Sequence, residues 1–259
     1  MIPPAVALTF SALFGLCIGS FLNVVIGRLP LGRSLAHPGS SCPRCGSLIA
    51  WHDNLPVLSY LLLRARCRAC RDPISWRYPV VEAACAVLFA LAYLRFGLSL
   101  QLATAIILLS ALIAITGIDL DHQIIPDVLS LPGIAVGLLL SLAPGGIGPG
   151  DSTLGVLVGG GVFIVIIVGS SLALGQPGMG MGDVKLGAML GAFLGWKLAL
   201  LSVLLSVLVG GPLAAFLLAT GRKRRKDPLP FGPFLALGGA VSLFCGDAIL
   251  GWYFGQFLD

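Results

Sequence analysis

Charge is what this sequence has least of. Only 10% of its 259 residues are Asp, Glu, Lys or Arg, against about 25% in soluble domains. That scarcity excludes an ordinary water-soluble domain. With 57% hydrophobic residues and a mean hydropathy of +1.00, it selects a chain that crosses a membrane several times. The first apolar run has no basic stretch ahead of it and leads straight into a hydrophilic loop, so it reads as a span rather than a cleavable signal. No internal repeat suggests a transporter built from inverted halves. Of 7 cysteines, four fall in two pairs and three stand alone in apolar runs, which is not the pattern of a secreted disulfide scaffold.

What is present is a series of apolar segments at roughly 5–26, 79–95, 99–118, 128–143, 153–174, 186–196, 198–220 and 232–254. The run from Leu186 to Ala219 is too long for one simple span, and Trp196-Lys197 divides it. The fold class is therefore an all-α polytopic membrane protein of about eight transmembrane helices, with seven as the alternative. Eight spans place the arginines of 27–78, Lys185 and the basic run Arg222–Lys226 on one side, leaving Arg95 and Lys197 on the other. The excess of positive charge makes that side cytoplasmic and puts both termini outside. The expected organisation is a first transmembrane helix at 1–26, a cytoplasmic loop at 27–78 and a multi-helix membrane core at 79–259.

The loop holds "SCPRCG" (41–46) and "RCRAC" (66–70). Cys42-x2-Cys45 and Cys67-x2-Cys70 supply two knuckles that close a four-thiolate site around Zn2+. Four thiolates leave no open coordination position, so the zinc is expected to be structural and to supply much of the loop's folding energy. Two disulfides, or a redox CxxC, are the other readings, and a cytoplasmic location disfavours stable disulfides. A nucleic-acid partner is not expected, because the arginines lie at a membrane surface where lipid and topology account for them.

Two acidic stretches lie at span ends. "TGIDLDHQIIPD" (116–127) carries Asp119, Asp121, His122 and Asp127, and "PGMGMGDVKLGAMLG" (177–191) carries Asp183 and Lys185. Carboxylates at membrane depth are costly and point to function. Asp121 and His122 read as exposed, Asp127 as the start of a helix after Pro126, and Asp119 as the most embedded of the group. Asp119 and Asp183 are expected on one cytoplasmic face, as a dyad that shares a proton and activates water. Asp183 benefits from a helix N-terminus, whereas Asp119 sits at a helix C-terminus, where the dipole disfavours negative charge. Gly187, Gly191 and Gly195 recur every four residues and are expected to pack a helix. Gly178, Gly180 and Gly182 are expected to admit substrate backbone beside Asp183.

These motifs resemble a known family. "GSFLNVVIGRLP" (19–30), the paired CxxC motifs, "RYPVVE" (77–82), "DLDHQIIPD" (119–127) and "GMGDVKL" (180–186) occur in the order found in bacterial type IV prepilin peptidases, the GxGD-type aspartyl proteases also called leader peptidase/N-methyltransferases. The resemblance implies an inner-membrane enzyme with its active site facing the cytoplasm. Such an enzyme removes the short basic leader of prepilins and pseudopilins, then methylates the new N-terminus with S-adenosylmethionine. It makes Asp119 and Asp183 the catalytic pair and Cys42, Cys45, Cys67 and Cys70 the zinc ligands. No GxGxxG-type loop marks a soluble methyltransferase fold, so the methyl-donor site has no location in the sequence.

Glu82 opens the second span and is expected to pair with an arginine such as Arg77 or to face a polar bundle centre; Asn23 and Arg28 are further candidates. Cys17, Cys85 and Cys245 read as packing residues. The competing classes are a proton-coupled transporter carrying protons on Asp119 and Asp183, and a non-catalytic scaffold. The transporter expects acids near mid-membrane; here they are read at span ends.

Overall fold

In the computed structural model the described residues are 3–175, 179–222 and 229–257. Among them the chain is helical: α1 (Pro4–Arg28), α2 (Leu58–Leu62), α3 (Arg77–Phe96), α4 (Leu100–His122), α5 (Asp127–Ser141), α6 (Pro149–Leu174), α7 (Met181–Ala219) and α8 (Gly232–Phe257), with only isolated bridges of extended structure. Six of these are long and apolar enough to cross a membrane, and α5 is a shorter apolar helix. The protein is a multi-pass membrane protein. Packing divides it into two compact units, Met1–Leu102 and Ala103–Asp259. Lys223–Lys226 of the basic run, and Gly178, lie outside the described residues.

In the first unit α1 and α3 run antiparallel in close contact. A Cβ at Gly15 would lie 2.7 Å from the Cα of Ala86, and one at Gly19 would lie 2.6 Å from the Cα of Glu82. Only glycine lets the backbones meet this closely. Asn23 donates to the Tyr78 carbonyl at 3.1 Å, and Arg28 holds the start of the loop through the carbonyls of Ser34, Pro38 and Gly39. Cys85 is fully buried here. Cys17 and Cys245 are exposed, so of the three isolated cysteines only Cys85 packs inside the protein.

In the second unit α7 is the centre. At about 1.5 Å per residue its 39 residues would span about 58 Å if straight, twice a bilayer core of about 30 Å. It is not straight. Gly195 takes φ 78°, ψ 170°, a conformation that favours glycine, and breaks the helix. Leu190, before the break, faces Gly239; Ser202 and Ser206, after it, face Gly238, and Leu198 faces Gly246. The two halves therefore run antiparallel beside α8. All eight expected apolar segments are helical, but the sixth and seventh part at Gly195 rather than at Trp196-Lys197, which are helical.

The first half of α7 packs on α6 through Gly155–Gly191 and Gly159–Gly187 backbone contacts. Gly187 and Gly191 thus pack a helix as expected; Gly195 makes the turn instead. Buried Leu108, Leu112, Ile115, Phe163, Leu186, Met189, Leu190 and Leu235 form the core around this half-helix. Ser152, fully buried, donates its hydroxyl to the Ala192 carbonyl at 2.7 Å.

Candidate active site and metal centre

Asp119 and Asp183 are both buried, at 5% and 9% exposure, and each carboxylate satisfies a helix N-terminus. Asp183 is the third residue of α7. Its Oδ2 accepts from the Gly180 N–H at 3.2 Å while its own N–H donates to the Gly180 carbonyl, a reciprocal cap. Asp119 stands in the last turn of α4, which ends through a left-handed Gln123 (φ 55°) before Pro126 opens α5. Its Oδ2 accepts from the Gly232 N–H of α8 at 2.9 Å, across 113 positions of sequence. The sequence placed Asp119 at an unfavourable dipole end; the start of α8 supplies the compensating positive end. Gly232 was missed because nothing in its local pattern announces a contact so distant.

The two carboxylates are near enough to interact electrostatically. The helix ends that carry them do not coincide with the ends of their neighbours. The pairings of Gly155 with Gly191 and Gly159 with Gly187 put Asp183 level with Phe163, and α6 continues about 16 Å beyond that level. The pairings of α8 with the second half of α7 put Gly232 level with Pro212, and that half continues about 10 Å further. Both acids keep the helix-end positions expected from the sequence, buried among neighbouring helices that continue past their level. Backbone groups exposed at such depth need internal partners, which is what both carboxylates provide. The ring of Phe231 packs edge-on to Phe163 at 6.1 Å and against Phe234 at 6.4 Å, so the surroundings of Gly232 are apolar.

Two contacts tie the start of α5 to the start of α7. Lys185 Nζ donates to Asp127 Oδ1 at 2.6 Å, so the lysine serves this pair. Gly182 faces Ile125, where a Cβ would lie 2.9 Å from the isoleucine Cβ; this glycine is needed for helix approach. A Cβ added at Gly180 would meet nothing closer than Asp183 Oδ2 at 3.8 Å. Lys185→Ala and Asp127→Ala are each expected to lower thermal stability by up to about 1 kcal/mol, as for a partly exposed pair. The exchanged double variant Lys185→Asp/Asp127→Lys should recover part of the loss. A double-mutant cycle with no coupling would show the pair to be incidental. Asp121 and His122 are exposed, as expected.

In the loop, the Sγ atoms of Cys42, Cys45, Cys67 and Cys70 all lie within 4.8 Å of one another, with Cys42 and Cys70 3.8 Å apart. A tetrahedral metal with bonds of about 2.3 Å separates its sulfurs by about 3.8 Å, so the four thiols can hold a metal ion. Each knuckle is a tight turn. Cys42 N–H donates to Ser47 O and Gly46 N–H to Cys42 O; Cys67 N–H donates to Asp72 O and Arg71 N–H to Cys67 O. The bridges Ser41–Leu48 and Arg66–Pro73 close them. Every partner in the second knuckle stands 25 residues after its counterpart in the first, and the register extends to Trp51 and Trp76. Donors to sulfur favour thiolates. The Ser47 hydroxyl and N–H hold Cys45 down to about 6, and the backbone N–H groups of Cys70 and Ala69 lower Cys67, whereas Cys70, despite the Asp72 N–H, is pushed up to about 12 by burial and the neighbouring thiols. Arg68 grips Asp53 with two bonds of 2.6 and 2.7 Å, bracing the second knuckle. Glu82, buried in α3, accepts from the Val57 N–H at 2.7 Å; this backbone group takes the place of the arginine partner considered from the sequence.

Comparison with known proteins agrees with the division of the chain. The family described as "Bacterial Peptidase A24 N-terminal domain" matches residues 13–96, and the "Type IV leader peptidase family" matches residues 106–215. A "Prepilin leader peptidase/N-methyltransferase" of Aeromonas hydrophila is 39% identical over 95% of this chain and 93% of that protein. Proteins of the same description from Pseudomonas aeruginosa and Myxococcus xanthus are 38% and 45% identical. They cover 93% and 82% of this chain, and 91% and 64% of their own lengths. No solved structure matches. Recessed paired aspartates, a four-cysteine loop and this identity along nearly the whole length lead to one conclusion: the chain belongs to the type IV leader peptidase family.

Proposed function

We propose that this protein is a prepilin leader peptidase and N-methyltransferase, cleaving type IV prepilins or pseudopilins and methylating the N-terminus so exposed. The observation that carries the peptidase half is the pair of buried aspartates, each bound to a helix N-terminus. Asp119 and Asp183 are the catalytic residues, within a peptidase core that lies in 79–259. A water between them attacks the scissile carbonyl carbon. One carboxylate takes the water's proton while the other, protonated, donates to the carbonyl oxygen; as the C–N bond breaks, the first passes its proton to the leaving amine and the second recovers one from the gem-diol. The hydrogen bonds from Gly180 and Gly232 fix which oxygen of each carboxylate remains free for that work. S-adenosylmethionine, when bound, would supply the methyl group, its S–CH3 bond breaking to leave S-adenosylhomocysteine while the new amine loses a proton. That half rests on the relatives' description.

The localisation in this reading is the bacterial inner membrane, with the active site open to the cytoplasm, following the side on which arginine and lysine collect. Incubating the purified protein in detergent with a prepilin peptide, with and without S-adenosylmethionine, tests both activities. Mass spectrometry should show the cleaved product in either case and a methyl increment only with the donor. An intact peptide would refute the peptidase reading, and cleavage without methylation the transferase reading.

The metal in the four-thiol site is Zn2+ in this reading, held by Cys42, Cys45, Cys67 and Cys70, and its part is to fold residues 40–76. Metal analysis should find one zinc per chain. Zinc sites of this type contribute about 10–16 kcal/mol to small domains, so chelation should expose 27–78 to protease and abolish cleavage until zinc is restored. Zinc holds its cysteines as thiolates, so protons compete with the metal and its retention should weaken as pH falls. A chain that is metal-free yet fully active would remove the site from the account.

A further inference from the structure

The cysteine loop carries an apolar segment, "LPVLSYLLL" (55–63), that neither the metal centre nor the catalytic pair uses. Its middle is α2. The residues on one face, Leu58, Leu61 and Leu62, are 51%, 65% and 71% exposed, while Ser59 on the other is 6% exposed. Ser59 turns inward, donating to the His52 carbonyl at 3.0 Å and accepting from the Leu55 N–H at 2.9 Å. Helical spacing at i, i+3 and i+4 thus puts three leucines side by side, facing outward.

The depth of that face is fixed by Glu82. Val57, which precedes α2, gives its N–H to the Glu82 carboxylate at 2.7 Å. Glu82 is the sixth residue of the span α3, and Gly19 of α1 lies against its Cα. Side chains lean toward a helix's N-terminus, so the carboxylate reaches up to about the first turn of α3, below Trp76. α1 meanwhile continues nine residues past Gly19 to Arg28, about 13 Å further. α2 is therefore held beside the two spans, below the end of one and at the first turn of the other. Val57 itself takes φ 59°, a costly conformation for a β-branched residue. The flanks suit lipid headgroups. Arg64 and Arg66 follow α2 directly and are exposed, and the whole loop sets eight arginines against Asp53 and Asp72, which already pair with Arg68 and Arg44.

We infer that α2 is a lipid-seated wedge: Leu58, Leu61 and Leu62 enter the interface of the bilayer beside α1 and α3, with Arg64 and Arg66 among anionic headgroups and Glu82 as the anchor that sets the depth. Leucine faces flanked by cationic residues seat about 5–10 Å into the headgroup and acyl boundary, and anionic lipid holds juxtamembrane arginines. The cysteine loop is then bound to the membrane surface through its own side chains as well as through its two connecting spans.

The test uses the full-length, metal-loaded chain in nanodiscs of mixed zwitterionic and anionic lipid. Leu62→Trp adds a fluorescent reporter over the four native tryptophans, and Leu61→Trp serves if the first variant does not accumulate. The added emission is expected to be blue-shifted and to fall by about half or more when the lipid is brominated high on its acyl chains, while aqueous iodide leaves it nearly unchanged. Quenching by iodide and not by brominated lipid would overturn the inference by showing the leucines in water. Quenching by neither would overturn it by showing them covered by protein.

Discussion

Asp119→Asn and Asp183→Asn are each expected to reduce prepilin cleavage by about 10³-fold or more, without unfolding the protein. Asparagine has nearly the shape of aspartate and keeps an oxygen that can accept from the Gly180 or Gly232 N–H, so the helix starts they satisfy should survive. What is lost is the proton traffic. The amide cannot take a proton from water, and it cannot protonate the leaving amine. In the proposed mechanism the two carboxylates act as one unit, so the double variant should be little worse than either single one. Asp121→Asn, at an exposed position one turn-end away, should change cleavage less than about threefold, as surface substitutions commonly do. Methylation of a synthetic peptide that already bears the mature N-terminus should persist in all three. Retention of more than about a tenth of wild-type cleavage by either dyad variant would rule out the aspartyl mechanism.

How much of this arrangement was legible beforehand depends on the range of the interaction. The cysteine pairs, the apolar segments and the acids stand in short motifs whose chemistry is local, and each appears where the sequence put it. Depth is a different matter. Hydropathy marks where a helix stops, not how far its neighbours continue, so the extension of α6 and of the second half of α7 past the acids was not visible. The break at Gly195 was assigned to Trp196-Lys197 because polarity was the visible signal, while the chain reverses on the residue that tolerates φ 78°. Glu82 invited an ion pair and received a backbone N–H from the loop. The 25-residue register from "SCPRCGSLIAW" to "RCRACRDPISW" was present in the sequence, yet only its four cysteines carry a chemistry that sequence alone interprets. Partners joined by the fold rather than by spacing, above all Asp119 and Gly232, leave no trace in a single sequence.

That last pair gives a sharp expectation, since Gly232 touches the proposed site without performing chemistry. A Cβ there would lie 2.7 Å from Oδ2, 3.1 Å from Cγ and 3.3 Å from Cβ of Asp119. The carboxylate would have to turn or shift, weakening its 2.9 Å bond from the α8 N-terminus. Displacement of a reacting group by about 1 Å can cost about 10²-fold in rate, so Gly232→Ala is expected to lower kcat for cleavage by about that factor. The loss should fall on kcat more than on KM, because the substitution moves a group needed in the transition state. Helix propensity works the other way: alanine is favoured over glycine by up to about 1 kcal/mol in a helix, which limits any destabilisation. Gly161→Ala in α6, with nothing within 4 Å of the added methyl, is the control and should leave cleavage unchanged. Methylation of the pre-cleaved peptide separates the explanations. If Gly232 serves only packing, the substitution should impair both activities along with thermal stability. If it positions Asp119, cleavage falls while methylation and stability hold, and a Gly232→Ala enzyme with wild-type kcat would show that the α8 N-terminus has no part in setting the catalytic carboxylate.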